Sequence, residues 1–132
     1  MTLPTSLKLR RTSAILQSHN QTPRKVRLVT DLVKGKKVTA ALAILQFLPK
    51  RAAEPIAKLI KSAAASAKEK GENPDDMTVQ SITVESAGML KKYMPRAFGR
   101  ASLIRRRKSR VKVTLASTSA TASASPSSRS TI

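Results

Sequence analysis

Residues 90–115, LKKYMPRAFGRASLIRRRKSRVKVTL, decide how this 132-residue chain is read. At the end of the stretch Val111, Val113 and Leu115 alternate with Arg110, Lys112 and Thr114, the period of a half-buried strand. Upstream, Gln80, Ile82 and Val84 share one face at the same period. Between these strand signals lie about two dozen residues with Gly88, Pro95 and Gly99 and hardly any large apolar group. A structureless loop of that length does not suit a compact domain. A two-stranded arm projecting from the body does, and a dozen residues at about 3.3 Å each would reach roughly 40 Å. An isolated ribbon is marginal in water, so the arm needs something to lie against.

The same stretch holds most of the unbalanced charge. The chain carries 26 Lys and Arg against 7 Asp and Glu, a formal net charge of +19. Residues 1–85 hold 15 of the basic residues and every acid; residues 86–132 hold 11 basic residues and no acid. Ten of those 11 fall between Lys91 and Lys112. Salt-bridged surfaces interleave signs, and this run does not. Arginine dominates it, and the planar guanidinium suits phosphate forks and base stacking. The segment reads as a nucleic-acid surface made of Lys91, Lys92, Arg96, Arg100, Arg105, Arg106, Arg107, Lys108, Arg110 and Lys112.

Working outward, the body is small and helical. Thr22-Pro23 opens a helix as N-cap and first helical residue, Val26, Val29, Leu32 and Val33 form its apolar stripe, and Gly35 closes it. A second helix covers about 39–48 and stops at Pro49. A third covers about 52–70 with Ala53, Ile56, Leu59, Ile60, Ala63, Ala64 and Ala67 buried; Pro55 fits only if the helix starts close to it. A strand at about 10–18 precedes them. Leu, Ile, Val and Phe supply 30 residues and Ala another 18, so the core is thin and packs closely. A thin core under that self-repulsion suggests a fold completed by a polyanion. Arg24, Lys25 and Arg27 at the opening of the first helix oppose its dipole unless an anion sits among them. Arg10 and Arg11 add basic charge at the first strand. Residues 1–9 form an N-terminal extension, 10–115 one domain, and 116–132 a Ser/Thr/Ala tail expected to be disordered.

Several classes of function drop out. With no cysteine there is no disulfide framework, thiolate metal site or Cys nucleophile. The lone His19 reads as a turn residue, the carboxylates Asp75 and Asp76 as a turn or cap, and the four glycines form no phosphate loop. No enzyme, cofactor, metal or small-molecule substrate is expected. No run reaches the 18 or so apolar residues of a membrane span, and a membrane-active cation would need a large apolar helix face. The aromatics Phe47, Tyr93 and Phe98 are too few for a stacking platform, although Tyr93 and Phe98 flank Pro95-Arg96 and can wedge or stack. Two readings stay open on these residues alone: an RNA-binding protein, and an architectural DNA-binding protein with basic β-arms.

The chain resembles a family, the universal large-subunit ribosomal proteins twenty-two in their bacterial form. The likeness is carried by TPRKVRLVTDLVKGKKVTAAL (22–42), LIKSAAASAKEKG (59–71) and above all the PRAFGRA core of 90–115. It implies an α+β fold: three helices on a small three-stranded antiparallel sheet with one long hairpin, here about 80–115. It implies a structural constituent of the large ribosomal subunit, in the cytoplasm or an organelle, that binds ribosomal RNA, touches neighbouring ribosomal proteins and assists assembly. The tip Arg96-Ala97-Phe98-Gly99-Arg100 would line the peptide exit tunnel, with Arg100 toward the nascent peptide. Lys91-Lys92 would lie in the segment that influences macrolide susceptibility in the family, and Arg24 and Lys25 would touch RNA from the body. The chain departs from the family pattern at Ser66, where Asn is common, and at Ala87-Gly88, where Gly-Pro is common. It departs again at Phe98, where a basic residue is usual, and at Arg110, where His is usual.

Overall fold

The structure, a computed structural model, describes residues 11–117. Arg10, the 1–9 extension and positions 118–132 of the tail lie outside the described residues. The elements run β1 (Arg11–His19), α1 (Pro23–Val33), α2 (Val38–Phe47), α3 (Ala53–Glu69), β2 (Met77–Pro95) and β3 (Ala101–Ser117), with single 3-10 turns at Pro74–Asp76 and Ala97–Gly99. The sheet is antiparallel in the order β1-β3-β2. This is the expected α+β architecture with its long hairpin. Strand β3 is the central one, paired with β2 along its length and with β1 from Ser109 to Ala116. It runs two residues beyond the expected boundary at 115, and Ala116 is buried.

Helix ends follow local chemistry. Thr22 occupies the N-cap of α1 with Pro23 next, although the Thr22 side chain makes no capping hydrogen bond. Gly35 follows the C-cap at φ +76, a left-handed residue that only glycine adopts without strain. Its N–H donates to the Val79 carbonyl at 2.9 Å, and the Val79 N–H returns to the Lys36 carbonyl at 2.8 Å. That exchange ties the α1–α2 link to the free edge of β2. Pro55 is the third residue of α3, where its missing N–H has no intrahelical partner to lose.

The core lies where α1 and α3 cover the sheet and α2 braces α3. Val26, Val29 and Val33 of α1 are buried as the spacing predicts, but Leu32 is 46% exposed. Thr30 takes the inward place instead, its hydroxyl donating to the Arg27 carbonyl at 3.0 Å. The alanine-rich stripe of α3 is buried as expected, with Ala64 half-buried at its edge. Val111, Val113 and Leu115 are fully buried.

The expectation that Gln80 shares a face with Ile82 and Val84 fails. Val79 pairs with Leu115 and Ser81 with the next residue back, Thr114, so Gln80 is the extra residue of a β-bulge. The bulge resets the alternation: Met77 and Val79 point inward before it, Ile82 and Val84 after it, and Gln80 is exposed. Two more bulges mark where the arm leaves the body. In β1 the register slips between Leu16 and His19, with Ser18 at φ 55; in β2 it slips between Ser86 and Met89, with Gly88 at φ 91. Both slips border Ser109 of β3, which is fully buried. Beyond them β2 and β3 pair alone from Met89↔Arg107 to Pro95↔Ala101, a ribbon of about 20 Å at 3.3 Å per residue.

Candidate nucleic-acid interface

The root of the arm, the start of α1 and the α2–α3 turn enclose a cleft of about 630 Å³. Asn20, Gln21, Thr22 and Lys25 form one wall, Arg51 a second, and Leu90, Lys92, Arg105, Arg106, Arg107 and Lys108 the third. Seven of these residues are cationic and none is acidic. Among the described residues the single ion pair is Lys58 Nζ to Glu54 Oε1, 2.7 Å, on the exposed side of α3. Lys58 holds the Glu54 carboxyl below the usual carboxylate range, chiefly through that hydrogen bond. The cleft's charge is therefore not offset within the described body. A concave cationic wall of this kind focuses field and attracts a polyanion.

Strand geometry distributes the arm's charges. Leu90 pairs with Arg106 and Lys91 with Arg105, so consecutive cations point to opposite faces. Arg106 and Lys108 share one face with Leu90 and Lys92; Arg105 and Arg107 share the other with Lys91 and Met89. A ribbon charged on both faces can lie between two anionic walls. Nearer the tip the character changes, since Tyr93 pairs with Leu103 and Pro95 with Ala101.

The tip is a closed turn. The Arg96 N–H donates to the Arg100 carbonyl at 2.7 Å, and Arg96 Nε donates to Ser102 Oγ at 3.0 Å. Phe98 stands at its apex with φ 57, ψ 37, and is 98% exposed.

Of the residues singled out from sequence, Lys25, Lys92, Arg105, Arg106, Arg107 and Lys108 meet at the cleft. Arg11, Arg24, Lys91, Arg96, Arg100 and Arg110 do not line it. Arg27 is turned to another task, its Nη2 donating to the Val84 carbonyl at 3.0 Å. Arg110 lies opposite Glu85 in the register, the acid nearest the arm in sequence. Sequence reasoning missed Arg51, Asn20, Gln21 and Leu90. Arg51 stands in a short Lys50-Arg51 pair after Pro49, and nothing in so short a run says which way it faces. His19 ends β1 half-buried, with Nε2 3.2 Å from Gln21 Oε1. Among the described residues no group of three His, Asp or Glu could hold a metal ion, and no helix is long and apolar enough to cross a membrane.

The profile of the family described as ribosomal protein L22p/L17e matches residues 14–116. The chain belongs to this family. Three relatives carry the name large ribosomal subunit protein uL22. That of Herpetosiphon aurantiacus is 50% identical over 101 residues, which cover 76% of this chain and 89% of the relative. That of Pelobacter propionicus is 47% identical over 104 residues, covering 78% and 94%. That of Geobacter sulfurreducens is 46% identical over 105 residues, covering 79% and 95%. The matched span of the L22p/L17e family includes every residue that lines the cleft and the whole arm.

Proposed function

We propose that the chain is a structural constituent of the large ribosomal subunit that grips ribosomal RNA in the cationic cleft and along both faces of its arm. The observation that carries this is the convergence of seven cationic residues from α1, the α2–α3 turn and both strands of the arm on one cleft with no carboxylate among them. The role is structural and not enzymatic, as membership of the L22p/L17e family supports. Bound RNA would supply the counter-charge and cover the ribbon, so that assembly and ordering of the arm go together. Neighbouring ribosomal proteins are the other partners. The PRAFGRA tip, closed on itself and exposed, supports the reading that the arm ends in the wall of the peptide exit tunnel with Arg100 toward the nascent peptide. The bacterial relatives favour a cytoplasmic ribosome. The family assignment lends no support to a DNA-wrapping dimer.

The test is binding of the full chain to large-subunit ribosomal RNA across a salt series. About seven phosphate contacts would cost roughly a thousandfold in affinity between about 50 and 200 mM salt. Affinity that stays flat over that range would sink the proposal.

A further inference from the structure

We infer that Phe98 is a stacking wedge: its ring docks on the face of an unpaired nucleobase of the large-subunit RNA and anchors the arm's tip there. The inference rests on the proposed ribosomal role and goes beyond it by assigning a partner to one side chain.

Among the described residues Phe98 is the most exposed large hydrophobic side chain, at 98%, ahead of Phe47 at 85% and Tyr93 at 74%. It also sits in the left-handed region at φ 57, which a residue with a Cβ adopts at a cost and which is kept only where its surroundings over-determine it. The Arg96 N–H to Arg100 carbonyl bond and the Arg96 Nε to Ser102 Oγ bond clamp the turn from below, and Gly99 follows at φ 65. The clamp shapes the turn that carries the ring at its apex.

The chemistry around the ring selects the partner. Arg96 and Arg100 flank Phe98, and no carboxylate occurs anywhere from residue 86 onward. A partner must therefore offer a flat apolar face between anionic groups. A nucleobase between two phosphates has that form, and aromatic stacking on bases is sequence-tolerant and strong. The neighbouring stem agrees: charge is dense from Arg105 to Lys112 and sparse from Tyr93 to Ile104, where Arg96 and Arg100 are the only cations in twelve residues. The stem is built for phosphate backbone and the distal arm for apolar faces.

The experiment uses large subunits assembled with the full chain carrying Phe98→Tyr, Phe98→Leu or Phe98→Gly, each quantified per particle, with the RNA bases probed by dimethyl sulfate and carbodiimide. The wild type and Phe98→Tyr should protect the same base, and its reactivity should rise several-fold in both Phe98→Leu and Phe98→Gly. Phe98→Gly relieves the backbone strain, so a shared effect in Leu and Gly traces to the ring and not to the turn. A benzophenone amino acid at position 98 should cross-link to RNA. Stoichiometric particles with no base altered in either ringless variant, or a cross-link to polypeptide in place of RNA, overturn the inference while leaving the ribosomal role standing. Absence of the wild-type chain from the particles would instead overturn the ribosomal role, and this inference with it.

Discussion

Arg27 donates through Nη2 to the Val84 carbonyl, whereas Arg51 lines the cationic cleft with no ion-pair partner among the described residues. The two arginines should therefore separate stability from binding. Arg27→Ala removes a charged donor that ties α1 to β2, and about 1 kcal/mol of stability should go with it in urea unfolding. Arg51→Ala should leave the urea midpoint in place and lower the slope of log affinity against log salt by about one, the mark of a single lost phosphate contact. The opposite pattern would exchange their roles. At this scale sequence reading succeeds where a residue's surroundings are local. Gly35 is legible because a helix end needs a left-handed residue. Leu32 is not, because apolar side chains also occupy surfaces and Thr30 could satisfy its hydroxyl within its own helix.

The elements are held in register by residues that do not pair. Gln80 is exposed and contributes little itself, yet its presence lets Met77 and Val79 and then Ile82 and Val84 face the same core. Gln80→Ala should be nearly neutral, within about 0.5 kcal/mol. Deleting Gln80 should turn one of those pairs to solvent. At roughly 1.5–3 kcal/mol for each large apolar side chain, that removes about 3–6 kcal/mol, much of a small domain's stability. Thermal melts followed by circular dichroism check both; a deletion that melts like the wild type would show that the register is set elsewhere. The strands themselves were legible from their alternation, and the α3 stripe from its period. The bulges were not, since one extra residue is defined only against the partner strand that leaves it unpaired.

Across the whole molecule, a net charge of +19 accompanies a core whose large buried side chains number few. The body folds under one sheet face and three helices, but beyond Ser86 and Ser109 the two strands of the arm pair only with each other among the described residues. Hydrogen exchange should separate the two in the free protein: slow amides in α1, α3 and residues 111–115, fast amides in 89–105. In assembled subunits the arm's amides should slow to match the body. Equal protection of arm and body in the free chain would mean that the ribbon needs no RNA.

The sequence by itself determined the helices, the alternating strands, the family and the acid-free charge of the arm, because periodicity, capping and charge sign are properties of neighbours along the chain. Only the tertiary structure decided that Arg51 joins the cleft, that Arg27 leaves it for Val84, and that three bulges set the faces. Those outcomes depend on which distant backbone a side chain meets, and no local pattern carries that distance.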